Sequence, residues 1–185
     1  MLGELARVRR ILRGDRRAGE IFVAEHYPAV RRMLWCLTGD AEATADLTQQ
    51  TFVKAWQALD TYRGEARLAT WLHQIAYREY THWLRDRHPT ASLGSIGDMA
   101  DPRAVHDLKT ILLSRALEQL PAELRDTFLL FYAHELSVRE VAAVQGVAPG
   151  TVKSRLFAAR ARLRELLAEP ALAADAAGGS PMPVL

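Results

Sequence analysis

The chain has 185 residues, of which 49% are hydrophobic and 25% charged, so it can bury one hydrophobic core of ordinary size or two small ones. Its formal net charge of +2 is too small to predict a nucleic-acid partner by itself. The single cysteine, Cys36, excludes an intramolecular disulfide and is expected to be a small buried residue. No apolar run approaches the ~20 residues of a membrane span, and the first residues are too charged for a secretory signal. The sequence therefore predicts a cytoplasmic protein without membrane insertion.

The N-terminal part of the chain, residues 3–87, predicts helices throughout, with breaks near Gly14, Gly39 and Asp60 to Gly64. One of these helices covers Ala41 to Leu59, and its apolar side chains are expected to face a core: Leu47, Phe52, Ala55, Trp56 and Leu59. Its polar side chains are expected to face outward: Asp46, Gln49, Gln50 and Lys54. A face that docks another protein and a plain solvated face would both produce this pattern.

The following segment, Tyr62 to Arg87, interleaves aromatic residues with arginines. The aromatic residues are Tyr62, Trp71, Tyr77, Tyr80 and Trp83, and the arginines are Arg63, Arg67, Arg78, Arg85 and Arg87. Single-stranded nucleic acid requires this combination, because rings stack on bases while guanidinium groups hold the backbone. Core packing is the alternative. We expect it to take Trp71 first and Trp83 next, which leaves Tyr77, Tyr80 and the arginines available for contact.

A run rich in Pro, Ser, Gly and Asp follows, from His88 to Pro102, and predicts a linker. Helical periodicity resumes at Val105, and Pro121 starts a further helix. No segment alternates as a strand. The sequence thus predicts an all-α fold of two helical modules joined by a flexible linker. Its parts are an N-terminal domain over residues 1–87, the linker over 88–106, a C-terminal domain over 107–168 and a disordered tail over 169–185.

The C-terminal module contains a predicted helix-turn-helix. Ser137 is a favoured N-cap, and Glu140 can complete a capping box that starts a short helix. Gly146 can end this helix in a left-handed turn, and Pro149 can open the next one. The second helix repeats apolar residues on one stripe, namely Val152, Leu156, Ala159, Leu163 and either Leu166 or Leu167.

The opposite face of that second helix carries Lys153, Ser154 and Phe157, flanked by Arg155, Arg160, Arg162 and Arg164. In a helix-turn-helix the N-terminal residues of the second helix meet base edges, while flanking arginines meet phosphates. A solvated basic face is the alternative. The aromatic Phe157 favours DNA recognition, because a ring that projects among arginines is costly to leave in water and can contact a thymine methyl group.

Four motifs together resemble the bacterial sigma-70 family of RNA polymerase sigma factors. They are DLTQQTFVKAW, YRGEARLATWLHQIA with YREYTHWLRDR, LPAELRDTFLLFYAHELSVREVA, and GTVKSRLFAARARLREL. The extracytoplasmic-function group, which keeps only conserved regions 2 and 4, matches in length and order. The resemblance covers about Ile21 to Leu167.

The resemblance implies roles for three sets of residues. Docking on the clamp helices of core RNA polymerase falls to Asp46, Leu47, Gln49, Gln50, Phe52 and Trp56. Contact with the minus-10 element, as a single strand, falls to Arg63, Tyr77, Arg78, Tyr80, Arg85 and Arg87. Contact with the minus-35 element, as a duplex, falls to Lys153, Ser154, Arg155, Phe157 and Arg160. The implied partners are core RNA polymerase, promoter DNA and an anti-sigma factor, with no cofactor and no catalysis.

Several positions depart from the family pattern, namely Gln50, Leu68, Arg78, His82 and Ala158, so promoter sequence preference is not inherited from the resemblance. Two other classes of protein remain open. A stand-alone helix-turn-helix regulator would use the same C-terminal reader without polymerase. A small helical enzyme would need a catalytic motif, and the sequence shows no P-loop and no nucleophile motif. A zinc protein would need ligands at the usual spacing, which the six histidines and Cys36 do not show.

Overall fold

The computed structural model describes residues 2–86 and 108–177, and the regular secondary structure of these residues is helical, as predicted. The elements are α1 Leu2–Leu12, α2 Arg16–Thr38, α3 Ala41–Gln57, a 3-10 turn Leu59–Thr61, α4 Leu68–Asp86, α5 Leu108–Glu118, α6 Ala122–Tyr132, α7 Val138–Gln145 and α8 Pro149–Ala177. The predicted linker, residues 88–106, lies outside the described residues. Arg87 and the final residues of the chain, 178–185, lie outside them too.

Local capping interactions set the helix boundaries of the N-terminal domain. The Asp15 carboxylate accepts a hydrogen bond from the Ala18 backbone N–H at 3.0 Å and starts α2. Gly39 ends α2 with φ of 62°, a left-handed conformation that glycine adopts without steric cost. Asp40 then caps α3 by accepting from Ala43 N–H at 3.0 Å. The predicted breaks near Gly14 and Gly39 are therefore confirmed.

The N-terminal core is formed where α2, α3 and α4 pack together. Its largest fully buried side chains include Phe22, Met33, Leu34, Leu47, Leu72 and Tyr80. On α3, three buried threonines, Thr44, Thr48 and Thr51, each donate a hydroxyl to a backbone carbonyl four residues earlier. Because their hydroxyls are hydrogen-bonded within the helix, these small polar side chains can be buried. The spacing of apolar residues therefore does not predict this buried face of α3.

The buried face of α3 corrects part of the sequence prediction. Leu47, Ala55 and Leu59 are buried, as expected. Phe52 is only half-buried, and the Trp56 side chain is 51% exposed. Phe52 nevertheless packs against the core. The prediction is wrong for Trp56 alone, because threonines and alanines occupy the buried face of α3 there.

The C-terminal domain contains the predicted helix-turn-helix. Both hydrogen bonds of the Ser137–Glu140 capping box are present, and Gly146 ends α7 with φ of 68°. Pro149 opens α8, whose buried stripe consists of Val152, Leu156, Ala159, Leu163 and Leu166. The helix continues to Ala177, nine residues into the tail that we predicted to be disordered. The many alanines in the segment favour this extension, since alanine has the highest helix propensity.

The two domains lie against each other in the structure. Helix α4 of the N-terminal domain packs along α7 of the C-terminal domain, and α2 contacts α6. The two helical modules are therefore in direct contact through these four helices. Sequence periodicity does not predict this arrangement.

Three further findings concern Cys36, membrane spans and metal sites. Cys36 is buried, and burial raises the pKa of its thiol to about 11, in agreement with a small core residue. Within residues 2–86 and 108–177, no helix is long and apolar enough to cross a membrane. In the same residues, no group of three or more histidine, cysteine or acidic side chains could hold a metal ion.

Candidate nucleic-acid interface

The first turns of α8 present an exposed surface that we call the α8 surface, consisting of Lys153, Ser154, Phe157 and Arg160. The Phe157 ring is 67% exposed, the most exposed large hydrophobic side chain of the described residues. It lies away from the buried stripe, because Leu156 and Ala159 face the core. An exposed ring among cations at the start of the second helix is suited to contact with DNA bases in the major groove.

The polar groups of the α8 surface differ in how they are held. The Ser154 hydroxyl donates to the Thr151 carbonyl at 2.9 Å, and the Arg160 Nε donates to the Leu156 carbonyl at 3.2 Å. Arg155 is half-buried and lies close enough to Tyr77 of α4 to affect the pKa of its hydroxyl. Arg155 thus lies on the side of α8 that faces the N-terminal domain, whereas the other four residues face solvent.

The predicted single-strand set, which lies on α4 and on both sides of it in sequence, is divided between surface and interior. Arg63, Arg78 and Arg85 are exposed, and Arg85 donates from Nε to the Thr81 carbonyl at 3.3 Å. Arg87 lies outside the described residues. Tyr80 is fully buried, at 0% exposure. The expectation that core packing leaves Tyr80 available is therefore wrong.

Tyr77 and Tyr80 both contact a buried carboxylate of the C-terminal domain. The Tyr77 hydroxyl donates to Asp126 Oδ2 at 3.3 Å, and the Tyr80 hydroxyl donates to Asp126 Oδ1 at 3.4 Å. Asp126 is 3% exposed, and its nearest cation is Arg125, whose Nη2 lies 3.6 Å from Oδ1. Burial raises the pKa of the Asp126 carboxyl to about 6, because the charged form is poorly solvated there. The same burial raises the pKa of both tyrosines.

The predicted polymerase-docking set on α3 is also divided. Asp46, Gln49 and Gln50 are exposed, and Leu47 is 2% exposed, so Leu47 supports α3 from inside and cannot itself touch a partner. Phe52 and Trp56 border an open apolar groove between α2 and α3, which we call the α2–α3 groove. Its walls are Val23, Tyr27, Gln49, Phe52, Val53 and Trp56.

Aromatic contacts and a glycine shape the α2–α3 groove. The rings of Tyr27 and Phe52 stack with centroids 5.9 Å apart. Trp56 lies over Gly19 of α2, where an added Cβ would come within 2.8 Å of the indole Cη2. A larger side chain at position 19 would therefore displace the indole.

Sequence reasoning missed the residues that join the domains. Besides Asp126, they include Glu140, whose Oε1 accepts from the Thr70 hydroxyl at 3.3 Å, and Gln145, whose Nε2 donates to the Tyr77 hydroxyl at 3.4 Å. The one sequence signal for a buried role of Asp126 was its position among the apolar residues of α6. The spacing gave no information on its partners, because they lie in the other domain.

Fold and surface together define a class of protein: a two-domain helical DNA-binding protein with a helix-turn-helix reader. Family comparison is more specific. The family model described as Sigma-70 region 2 matches residues 22–90, and the model described as Sigma-70, region 4 matches residues 110–163. The chain belongs to the sigma-70 family, in its extracytoplasmic-function group, and thus to the factors that direct RNA polymerase in transcription initiation.

Individual relatives agree with this assignment. The RNA polymerase sigma-H factor of Pseudomonas aeruginosa is 30% identical over 176 residues, with 86% of this chain and 91% of that protein covered. The ECF RNA polymerase sigma-E factor of Escherichia coli K12 is 30% identical over 172 residues, with 83% and 88% covered.

Solved structures are similar over most of the chain. The sigma factor RpoE, in complex with the anti-sigma factor NepR from Bartonella quintana, has a TM-score of 0.66 at 29% identity and covers 80% of this chain and 95% of its own. CnrH, in complex with the cytosolic domain of CnrY, has a TM-score of 0.68 at 26% identity and covers 89% of this chain and 96% of its own.

Proposed function

We propose that the chain acts by binding alone, as a specificity subunit that places core RNA polymerase on promoters and captures melted DNA. The observation that carries the proposal is the presence of regions 2 and 4 in one chain, in that order. A stand-alone regulator is not favoured, because it would have no use for region 2. The proposal locates the protein with RNA polymerase in the cytoplasm.

The α8 surface is proposed to read the minus-35 element as a duplex. Phe157 would contact a base edge or methyl group, and Lys153 and Arg160 would neutralise phosphates. The exposure of the Phe157 ring supports this role, since an unpartnered aromatic side chain on a basic surface costs free energy in water. Ser154 and Arg155 complete the proposed set, with Arg155 at its edge toward α4.

The arginines of the α4 region are proposed to hold the backbone of the melted minus-10 strand. Exposed Arg63, Arg78 and Arg85 support this role, and Arg87 is assigned to it from sequence alone. Tyr77 is proposed to stack on a base, which returns about 1 to 3 kcal/mol per base against the cost of unstacking. Tyr80, being buried, would support Tyr77 from beneath.

Polymerase docking is proposed for α3, through Asp46, Gln49 and Gln50 together with the α2–α3 groove. Phe52 and Trp56 would provide the apolar contact, because partly exposed aromatic side chains supply most of the binding free energy in many protein interfaces. An anti-sigma factor is proposed as a further partner, on the grounds that RpoE and CnrH were both solved in complexes, the first with the anti-sigma factor NepR.

Run-off transcription with purified bacterial core polymerase and a promoter library tests the proposal. Core polymerase alone and the chain alone serve as controls. Selective initiation that requires both proteins is the expected result, and the selected templates identify both promoter elements. Duplex binding by the chain with no effect on initiation would contradict the proposal.

A further inference from the structure

We infer that the free chain holds itself closed, because the C-terminal domain binds Tyr77, the side chain that the proposed function assigns to single-stranded DNA. Closure and DNA capture then compete for one residue. The competition rests on the proposed function, whereas closure itself does not and is tested separately below.

The contact on Tyr77 comes from two helices of the C-terminal domain. Its hydroxyl donates to Asp126 of α6 at 3.3 Å and accepts from Gln145 Nε2 of α7 at 3.4 Å. The Gln145 Oε1 lies 3.0 Å from the Thr127 hydroxyl of α6, so the amide is held in place. Tyr77 is thus the point at which α4, α6 and α7 are hydrogen-bonded to one another.

A second contact lies two turns earlier on α4. The Thr70 hydroxyl donates to Glu140 Oε1 at 3.3 Å, and the other carboxylate oxygen of Glu140 accepts from the Ser137 backbone N–H at 3.0 Å. The carboxylate that caps α7 therefore also attaches α7 to α4. With Gln145 at the other end of the helix, α7 is joined to α4 at both ends.

The hydrogen bonds of this contact are longer than usual, which favours a contact that can open. Its O–H···O distances of 3.3 and 3.4 Å exceed the usual 2.5–3.0 Å. Two buried imidazole nitrogens, His73 Nδ1 and His134 Nε2, have no hydrogen-bond partner. Such atoms cost free energy that separation of the domains would return by hydration. A polymerase or a nucleic acid therefore has only a modest contact to displace.

Closure has a direct consequence for the proposed DNA site. Tyr77 is half-buried between the domains, so its ring cannot stack on a base until α6 and α7 move away. The arginines of the same helix, Arg78 and Arg85, remain exposed. The arginines can then attract a single strand before the strand contacts Tyr77. Opening of the domains becomes a separate, later step of binding.

Distance measurements between spin labels test closure without any DNA. Glu42→Cys and Arg164→Cys place one label on an exposed site of each domain. Cys36 should remain unlabelled, because it is buried and its pKa is about 11. The unmodified chain should give one narrow distance distribution. Tyr77→Phe and Thr70→Val should each shift the ratio of open to closed chains by about tenfold, since each removes a hydrogen bond within a charged network.

Tyr132→Phe is the matched control, because it removes a hydroxyl from a tyrosine that is 45% exposed on the same C-terminal domain. It should leave the distance distribution unchanged. If both Tyr77→Phe and Thr70→Val also leave it unchanged, closure by this contact is overturned.

A random-sequence single-stranded oligodeoxynucleotide tests the competition. It should broaden the distance distribution of the unmodified chain and bind Thr70→Val more tightly, by up to about tenfold, because Thr70 is not in the proposed DNA set. An opened Thr70→Val chain with unchanged affinity would overturn the competition. The run-off assay, which does not depend on the distance measurement, would then show whether the proposed function stands.

Discussion

The indole of Trp56 on α3 lies over the Cα of Gly19 on α2, and a Cβ at position 19 would come within 2.8 Å of Cη2. Gly19 is buried beneath an aromatic side chain that is itself 51% exposed. The glycine therefore sets how Trp56 lies along the α2–α3 groove, the surface proposed to bind core polymerase.

Gly19→Ala is expected to rotate Trp56 out of the groove, because the exposed indole can move more easily than the two helices. The loss in affinity for core polymerase should be about tenfold or more, since a tryptophan anchor contributes about 2 kcal/mol or more. The melting temperature should change little. Gly3→Ala is the control, because a Cβ there meets nothing within 4 Å. Equal affinity in both variants would remove Trp56 from the docking surface.

Phe157→Ala and Trp56→Ala form a pair of exposed aromatic truncations in different domains. Phe157→Ala should weaken binding to duplex promoter DNA by about 1 kcal/mol or more and spare polymerase affinity, because its ring is 67% exposed and lies only on the α8 surface. Trp56→Ala should do the reverse. Equilibrium binding of each variant to duplex and to core polymerase measures both effects. A variant that loses both affinities equally would point to misfolding, and the proposed separation of roles would fail.

Lys153→Ala should reduce the dependence of duplex affinity on salt. One phosphate contact fewer lowers the slope of log affinity against log salt by about 0.9. Lys54→Ala removes an exposed lysine of α3 and should leave the slope unchanged. Titrations over a range of salt concentrations measure both slopes, and a Lys153→Ala slope equal to that of the parent chain would place Lys153 off the DNA.

Local signals made the helix-turn-helix predictable from sequence. The capping pair Ser137 and Glu140, the turn glycine Gly146 and the apolar stripe of α8 all act within a few residues, and each is present in the structure. The exposure of Phe157 followed from the same periodicity, because Phe157 falls outside the i, i+3, i+4 stripe that contains Val152, Leu156, Ala159 and Leu163.

Long-range partners decided what could not be predicted. Tyr80 was expected at the surface because arginines surround it in sequence, yet its hydroxyl contacts Asp126, which lies 46 residues away. Trp56 was expected to face the core because it belongs to the apolar side of the helical pattern from Ala41 to Leu59. The threonines of α3, whose hydroxyls bond to their own helix, took the buried face instead. The outcome at Tyr80 depended on another helix, whereas the outcome at Trp56 depended on polar side chains of its own helix.

Acid is expected to destabilise the chain through two histidines. Burial lowers the pKa of His73 and of His134 to about 4, from 6.5. Both are therefore neutral in the folded chain while the unfolded chain binds their protons, so stability falls as pH drops from 6.5 toward 4. At about pH 5, each histidine should lower the free energy of unfolding by about 2 kcal/mol, at 1.36 kcal/mol per pKa unit.

Some groups near these histidines lower the pKa of the imidazole, and others raise it. Besides burial, His26 and Arg32 lower the pKa of His73, whereas Glu140 raises it. Besides burial, His73 and Arg32 lower the pKa of His134. Asp126 has the opposite effect to the two histidines on the free energy of unfolding. Its pKa is raised to about 6 from 3.8, so the folded chain gains stability when Asp126 is protonated at lower pH. That gain is about 1 kcal/mol at about pH 5, so the net loss from about pH 7 should be about 2 to 3 kcal/mol.

Chemical denaturation at several pH values measures this loss, and His73→Gln is the informative variant. Glutamine does not titrate, so the variant should lose about 2 kcal/mol less than the parent chain between about pH 7 and 5. His82→Gln is the control, because His82 is exposed on the same helix. If His73→Gln follows the parent chain at every pH, His73 does not stay neutral in the folded state, and acid sensitivity must come from other groups.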